Sequence, residues 1–191
     1  MYPIKRFLSE ASIDLVKYYC FDFDGVVAYP TVLPDNHSYI INIRKVMSYR
    51  KKNSVTYTKA AKALKFGRKE VEENVHLVRD LNKLNPAFLD AVKRIQKRDG
   101  KIILATNNAP ELVKPFLAKN KILKYFTLLY SPESAGMIWK PFDEYFRKLK
   151  DKLGCEYEEM MLYDDQVEND KAMIKLGGHA QVYRMGRPFV V

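Results

Sequence analysis

Two aspartates one residue apart follow the first strongly apolar run of the sequence. Asp22 and Asp24 lie in the stretch Phe21-Asp22-Phe23-Asp24-Gly25, where the preceding aliphatic and aromatic residues predict a buried strand. Carboxylates at such a position are costly to bury unless they bind a metal or find polar partners, and Gly25 permits a sharp turn after them. The pair indicates a metal-binding or catalytic site, and the alternative is a strand end followed by a polar turn.

A second acidic group follows another apolar run, residues 159–163. It comprises Asp164, Asp165, Glu168 and Asp170, which are three aspartates and one glutamate within seven residues. Hard cations such as Mg²⁺ prefer oxygen ligands of this kind. The cysteine and histidine clusters typical of zinc sites are missing from the sequence. The group predicts a hard-cation site or an unusually acidic loop.

Other polar residues could bind an anion. Thr106 ends an apolar run and is followed by Asn107 and Asn108. A hydroxyl and free backbone N–H groups at a strand-to-helix junction suit a phosphate, although we expect Asn108 to be the N-cap of the next helix. Lys140 precedes a proline at the start of a predicted helix, and taken alone it is typical of a surface lysine.

The elements around these residues alternate between strands and helices. Short apolar runs predict strands over 18–23, 101–106, 127–131, 159–163 and 180–184, and amphipathic spacing predicts helices over 86–98, 110–120, 142–153 and 168–176. Gly100, Gly154 and Gly177 follow helix ends, where a left-handed residue favours glycine. This alternation predicts an α/β fold with a doubly wound parallel sheet and helices on both faces.

Residues 30–84 interrupt this alternation, because they show helical spacing and no strand pattern. We therefore predict a helical insertion after the first strand. Ligands bind outside the carboxyl ends of the strands in such sheets. An insertion that leaves the first strand at that end is expected to lie over the site.

The charge of the chain is compatible with nucleic acid, an anionic surface or a phosphorylated substrate as its partner. There are 33 Lys and Arg against 23 Asp and Glu, a formal net charge of +10. The basic residues are scattered, so we expect most of them to lie on solvated helix faces. We expect Arg44, Arg50, Lys51 and Lys52 to face water rather than a second anionic group of a substrate.

The remaining composition predicts a cytoplasmic protein with no membrane association. Cys20 and Cys155 are too few for a disulfide framework. The first residues lack the pattern of a secretory signal, and no apolar run approaches the roughly 20 residues that span a bilayer.

Four stretches, in this order and spacing, resemble the motifs of the haloacid dehalogenase-like (HAD) hydrolase superfamily. Residues 22–26 resemble the first motif, Asp-x-Asp-Gly-[Thr/Val], and residues 102–106 resemble the second, an apolar strand that ends in Thr or Ser. Lys140 with Pro141 resembles the third motif, and residues 164–170 resemble the fourth, an acidic pair with a further aspartate. The resemblance implies a Rossmann-like core of residues 1–29 and 85–191, with a small helical cap over residues 30–84.

The resemblance also implies a magnesium-dependent phosphatase that hydrolyses a small phosphorylated metabolite through an aspartyl-phosphate. Asp22 would be the nucleophile, and Asp24 would protonate the leaving oxygen and then deprotonate water. Lys140 would neutralise developing charge and keep Asp22 ionised, and Thr106 would hydrogen-bond the phosphoryl oxygens. The phosphate-binding residues would be Asp22, Thr106, Asn107 and Lys140.

The metal ligands implied by the resemblance are all oxygens. Mg²⁺ would be bound by Asp22, the backbone carbonyl of Asp24 and Asp165. Asp164 stands where many relatives have glycine, and it would be a second acidic ligand. Asp170 would organise the surroundings of these ligands rather than bind the metal.

Other functions compete with this one. A phosphomutase of the same superfamily keeps the acid at Asp24, but the short, highly charged insertion shows no sugar-binding signature, so we predict hydrolysis. Dehalogenase members lack that acid. Phosphoglycolate, nucleoside monophosphates and sugar phosphates all stay open as substrates.

A function of a different class is nucleic-acid binding. Residues 57–75 faintly resemble a helix-turn-helix. Glu70, Glu72 and Glu73 at the start of its second helix would repel phosphates, so we favour packing within the insertion.

Overall fold

A five-stranded parallel sheet forms the centre of the computed structural model, which describes residues 14–30 and 38–191. In chain order the strands are β1 (Tyr18–Phe21), β2 (Ala28–Pro30), β3 (Asn82–Leu84), β4 (Lys101–Ala105), β5 (Phe126–Tyr130), β6 (Met160–Asp164) and β7 (His179–Val182). The strand order of the central sheet is β5-β4-β1-β6-β7, and all neighbours in it pair in parallel.

Helices connect these strands. They are α1 (Ser38–Asn53), α2 (Tyr57–Ala63), α3 (Arg68–Leu81), α4 (Pro86–Gln96), α5 (Pro110–Lys119), α6 (Asp143–Leu153) and α7 (Val167–Lys175), with short 3₁₀ helices at Leu123–Tyr125 and Tyr157–Glu159. Local chemistry starts α4, because the Asn85 side chain accepts a hydrogen bond from the backbone N–H of Ala87 (3.0 Å) and Pro86 occupies the first turn.

The central strand β1 shows why helices cover both faces of the sheet. All four of its residues are buried. Tyr19 and Phe21 belong to a core cluster with residues of α4 and α5, whereas Tyr18 and Cys20 belong to a cluster with residues of α6 and α7. Successive residues of a strand point to opposite faces, so an apolar strand of this kind needs cover on both. The predicted doubly wound α/β fold is confirmed.

The prediction that residues 30–84 contain no strand is wrong at both ends of this range, where β2 and β3 lie. β2 and β3 form an antiparallel pair in which Ala28 lies opposite Leu84. This pair brings together the two ends of the helical segment, which we define as residues 38–81. Each strand has three residues, too few for an alternating pattern to be recognised in the sequence.

The glycines at helix ends follow two different rules. Gly154 and Gly177 have positive φ angles of 63° and 98°, which confirms their left-handed conformation. At the end of α4, however, Asp99 is the left-handed residue, with φ of 54°. The prediction for Gly100 is therefore wrong, and its lack of a side chain has another reason. A Cβ there would lie 2.7 Å from one ring atom of Tyr19 and 2.7 Å from the Ile95 side chain.

The helical segment packs through its own apolar faces. Val46 of α1 and Tyr57 and Ala61 of α2 are buried in a cluster that also contains Ala109 and Leu112 beside the central sheet. Buried Asn74 of α3 donates a hydrogen bond to the Tyr57 hydroxyl (3.0 Å). The residues whose spacing resembles a helix-turn-helix are thus used in packing.

Two further sequence features have a structural counterpart. Cys20 and Cys155 are both buried and unpaired. Within the two described ranges, no helix combines the length and the apolar character required to cross a membrane.

Candidate active site

The predicted motifs meet at the carboxyl ends of three adjacent strands. Asp22 follows β1, Thr106 follows β4 and Asp164 ends β6, and β1 lies between the other two strands. The backbone N–H of Asp22 donates to the Tyr163 carbonyl (2.9 Å), which continues the ladder past β1. Parallel pairing therefore brings together residues that are far apart in the sequence.

Lys140 lies between the carboxylates of two of these strands. It is buried, with 2% of its surface exposed. Its ammonium donates to Asp22 Oδ1 (2.9 Å), to Asp164 Oδ2 (2.5 Å) and to the carbonyl of Ala105 (2.7 Å). Burial alone would lower the pKa of Lys140, but the two carboxylates raise it above its ordinary value. All three donors of the ammonium are thereby used within the protein.

Asp22 is held in a setting that disfavours its negative charge. Burial raises the pKa of Asp22 to about 7, Lys140 opposes the rise, and the nearby charges of Asp164 and Asp24 add to it. The charge of Lys140 therefore does not offset the loss of hydration that burial imposes on Asp22, to which the two carboxylates add. A further cation at this place would favour ionised Asp22.

An oxygen-rich group suited to such a cation is present. Carboxylate oxygens of Asp22, Asp164 and Asp165 lie within 4.8 Å of one another, and this hard donor set fits Mg²⁺. A Cβ at Gly25, which has φ of 73°, would lie 2.8 Å from Asp165 Oδ2. Glycine is thus required where the turn after β1 approaches Asp165.

The two acidic residues of the fourth motif differ in how many of their oxygens are occupied. Asp164 Oδ2 accepts from Lys140, and Asp164 Oδ1 accepts from the backbone N–H of Gln166 and from Asn169 Nδ2, both at 2.9 Å. The Asp165 carboxylate accepts from Gln166 Nε2 (3.1 Å). Asp165 therefore has more free oxygen positions for a cation than Asp164 has.

Asn108 does not cap a helix as predicted. The N-cap of α5 is Ala109, and Asn108 Nδ2 donates instead to Asp24 Oδ2 (2.5 Å). Although Asp24 keeps contact with solvent, the surrounding protein removes part of its hydration and raises its pKa, and the hydrogen bond from Asn108 opposes the rise. The Asn108 amide therefore lies beside the candidate acid.

Asn107 ties two loops of the site together. Its Oδ1 accepts from the backbone N–H of Lys140 (2.9 Å), and its Nδ2 donates to the Lys140 carbonyl (3.2 Å). The side chain is thus committed to the Lys140 loop. Its backbone N–H donates to no residue in the described part of the chain. The Thr106 hydroxyl accepts from the backbone N–H of Asn108 (3.1 Å).

Asp170 is a buried carboxylate of a different kind. It is 3% exposed, and neither of its oxygens has a hydrogen-bond partner among the described residues. Burial raises the pKa of Asp170 to about 8, and the charge of Asp164 contributes. The neutral, protonated form of Asp170 is therefore favoured near neutral pH.

The site residues open into a cleft of about 530 Å³. One wall belongs to the sheet and its loops, and it includes the candidate catalytic and metal-binding residues. Helix α1 forms the other wall of the cleft with Met47, Ser48 and Lys51. The cleft is lined by Asp22, Asp24, Met47, Ser48, Lys51, Thr106, Asn107, Asn108, Trp139, Lys140, Asp165, Gln166 and Asn169.

Arg50 of α1 is completely buried, so the prediction that it faces water is wrong. Its Nε donates to Glu133 Oε1 (2.9 Å), and its Nη2 lies 2.6 Å from each carboxylate oxygen of Glu133. Its Nη1 donates to the Asn107 carbonyl (2.9 Å), and the guanidinium lies over the Trp139 ring at 4.4 Å. Neither Glu133 nor Trp139 stands out in the sequence. Arg44, Lys51 and Lys52 are exposed, as predicted.

Comparisons with known proteins agree with this geometry. The family model of haloacid dehalogenase-like hydrolases matches residues 16–178. A search of curated protein sequences found no match. A HAD family enzyme from Bacteroides thetaiotaomicron, solved with magnesium and inorganic phosphate, is 18% identical with a TM-score of 0.68, over 91% of this chain and 97% of that one.

Two other solved structures show the same fold with different named activities. A predicted phosphoglycolate phosphatase from Haemophilus somnus is 17% identical with a TM-score of 0.64, over 91% of this chain and 89% of that one. The L-2-haloacid dehalogenase from Xanthobacter autotrophicus is 14% identical with a TM-score of 0.66, over 86% of this chain and 76% of that one.

Proposed function

This chain belongs to the haloacid dehalogenase-like hydrolase family, and we propose that it is a magnesium-dependent phosphatase acting on small phosphate monoesters. The observation that carries the proposal is that Asp24 lines the same cleft as Asp22. An acid beside the nucleophile can protonate an alkoxide leaving group, whereas a halide ion leaves without a proton. The pair favours phosphoryl transfer over dehalogenation.

In the proposed reaction, Asp22 and Asp24 act in two steps. A carboxylate oxygen of Asp22 attacks phosphorus, the bond from phosphorus to the alcohol oxygen breaks, and Asp24 gives its proton to that oxygen. Asp24 then takes a proton from water, whose oxygen attacks the phosphorus and releases Asp22 as a carboxylate. The raised pKa of Asp24, which follows from its partial loss of hydration, favours the protonated form that begins the cycle.

The neighbours of this pair have proposed roles of their own. Lys140, 2.9 Å from Asp22 Oδ1, keeps that carboxylate oriented and stabilises its charge. The Thr106 hydroxyl and the backbone N–H of Asn107 bind phosphoryl oxygens, because the Asn107 side chain is already committed to the Lys140 loop.

We propose that Asp22, the backbone carbonyl of Asp24 and Asp165 hold Mg²⁺. Asp164 then supports Lys140 instead of binding the cation directly, because its oxygens already accept three hydrogen bonds. When bound, the ion cancels the repulsion between an anionic ester and the Asp22 carboxylate. Support for this class of ligand comes from the Bacteroides relative, which was solved with magnesium and inorganic phosphate.

The helical segment is proposed to act as a cap over a core formed by residues 1–29 and 85–191, in a cytoplasmic enzyme. This proposal is supported by the three residues of α1 that line the cleft. A cap in this position would shield the aspartyl-phosphate and select the alcohol part of the substrate.

The first test is Asp22→Asn, assayed by release of inorganic phosphate from p-nitrophenyl phosphate. An amide cannot attack phosphorus, so we expect a loss of at least about 10³-fold in kcat, with an unchanged circular dichroism spectrum. Asp90→Asn makes the same chemical change at an exposed site and should keep wild-type activity. A near wild-type rate for Asp22→Asn would refute the covalent mechanism.

The second test removes the cation and follows the products. Chelation with EDTA should abolish phosphate release and added Mg²⁺ should restore it, so activity that survives exhaustive chelation contradicts the metal proposal. With sugar 1-phosphates, we expect free sugar and inorganic phosphate in equal amounts. An isomerised sugar phosphate without free phosphate would instead show a phosphomutase.

A further inference from the structure

The cleft over Asp22 combines acidic residues on its sheet side with one lysine, Lys51, from α1. Three carboxylates, those of Asp22, Asp24 and Asp165, line it from the sheet side. Helix α1, which supplies the other wall, contains no acidic residue. Its five cationic residues are Arg44, Lys45, Arg50, Lys51 and Lys52. The positive charge of α1 is therefore not neutralised within the helix.

Two lysines line the cleft, and they differ in what they can still bind. Lys140 uses all three ammonium donors on protein oxygens. The Lys51 side chain makes no hydrogen bond or ion pair with any residue that the structure describes, and the residue is exposed. Of these two lysines, Lys51 is therefore the one whose ammonium can bind an anionic ligand without breaking an existing contact.

The position of Lys51 is set by its neighbour. Arg50 is held by three contacts with the Glu133 carboxylate and by the Asn107 carbonyl, and its guanidinium stacks on Trp139. A fully buried side chain with this many contacts fixes the rotation of α1 about its axis. Lys51 and Met47, four residues apart, then share the helix face that lines the cleft.

We propose, on the basis of the proposed phosphatase function, that Lys51 binds a second anionic group on the alcohol part of the substrate. The substrates are then small phosphate monoesters that also carry a carboxylate or a second phosphate. The exposed Ser48 hydroxyl, which lines the cleft beside Lys51, can donate to the same group. Met47 offers an apolar contact to the carbon chain between the two anions. A cleft of about 530 Å³ suits a substrate of this small size.

The experiment compares esters that differ only in the second anion. The first pair is 3-phosphoglycerate and glycerol 3-phosphate, which share a three-carbon chain and differ by a carboxylate. The second pair is fructose 1,6-bisphosphate and fructose 6-phosphate, which tests a phosphate as the second anion. For the wild-type enzyme with Mg²⁺, we expect kcat/KM to be about tenfold or more higher for the member with the extra anion in at least one pair.

The variants Lys51→Met, Lys51→Arg and Lys52→Met identify the source of that preference. Lys51→Met should reduce the ratio of kcat/KM values within the preferred pair about tenfold, and Lys51→Arg should retain most of it because the cation is kept. Lys52→Met removes the same charge from the next residue, which lines a different recess beside α1, and it should leave the ratio unchanged.

Each other result has a defined meaning. Equal loss of the ratio in Lys51→Met and Lys52→Met would show a general field of α1 and would overturn the Lys51 site. Equal losses for both members of a pair in Lys51→Met would place Lys51 on the transferred phosphate and would also overturn it. If the wild-type enzyme had equal kcat/KM values for both members of each pair, the Lys51 site would be overturned, whereas the proposed phosphatase function would stand. Failure to release phosphate from any ester would refute the proposed function itself.

Discussion

Lys140 and Arg50 are both buried cations beside the same cleft, yet their surroundings differ. Lys140 contacts two carboxylates, Asp22 and Asp164. Arg50 is paired with one carboxylate, Glu133, and stacks on Trp139. The charges in direct contact thus balance around Arg50, whereas negative charge is in excess around Lys140.

The difference distinguishes the proposed active site from a structural contact. Excess negative charge in a buried place is unfavourable until another cation binds. A metal site is expected to have such an excess before the metal ion binds. A balanced, bidentate ion pair has no such demand, and it connects α1 to the loops that carry Asn107 and Lys140. The two cations are therefore expected to respond differently when each is removed.

The largest expected effect follows from Lys140→Met. The substitution leaves Asp22 and Asp164 without their cation, so we expect phosphatase activity to fall by at least about 10²-fold. Loss of a buried ion-pair partner should also lower the free energy of unfolding by about 3–5 kcal/mol. Steady-state kinetics and urea unfolding measure the two effects, with exposed Lys152→Met as the control. If Lys140→Met kept its activity, the expected difference between removing Lys140 and removing Arg50 would be contradicted.

A smaller effect is expected from Arg50→Met. Glu133 retains 19% side-chain exposure and can rehydrate, so the free energy of unfolding should fall by about 1–3 kcal/mol. Because Lys140 and Asp22 keep their contacts, KM should rise more than kcat falls. A double-mutant cycle with Glu133→Gln should give a coupling energy of about 1 kcal/mol or more. Zero coupling, or a loss confined to kcat, would contradict the role of Arg50 as a structural contact.

The smallest expected effect is a pH dependence that arises on the Lys140 side. Burial, first of all, raises the pKa of Asp22 to about 7 and that of Asp170 to about 8, from 3.8. The metal-free folded protein therefore binds protons that the unfolded chain has already released. The free energy of unfolding should consequently decrease as pH rises from about 4 to about 8.

Asp170→Asn removes one of these titrating groups without removing an ion-pair partner. We expect its melting temperature to decline less than that of the wild type between pH 5 and pH 8, in EDTA. Exposed Asp90→Asn should decline like the wild type. If Asp170→Asn declined as steeply as the wild type, the proton uptake would have to be assigned to other groups.

Many of the polar residues on the sheet side of the cleft could be predicted from the sequence. The apolar runs of β1, β4 and β6 are strong local signals, and parallel pairing carries Asp22, Thr106 and Asp164 to one edge of the sheet. The resemblance of four motifs to one superfamily identified the family to which the chain belongs. Both inferences rest on residues close together in the sequence or on their order along it.

Other features depend on contacts between distant residues and were missed or misassigned. Asn108 has the residue type of an N-cap, but its partner is Asp24, which is 84 residues away. Arg50 lies in a helix with five cationic residues. Its contacts with distant residues, among them Glu133, 83 residues away, distinguish it from exposed Lys51 and Lys52.

Local patterns and motif order in the sequence are sufficient to predict the α/β fold, the family and the polar residues at the carboxyl edge of the sheet. Which cation of α1 is buried and which one lines the cleft depends on the folded chain. The folded chain likewise determines which oxygens of the acidic pair Asp164 and Asp165 are already occupied. Periodicity and motif order reflect local backbone preferences, which the sequence records directly. Burial and charge pairing depend instead on distant side chains that come into contact only when the chain folds.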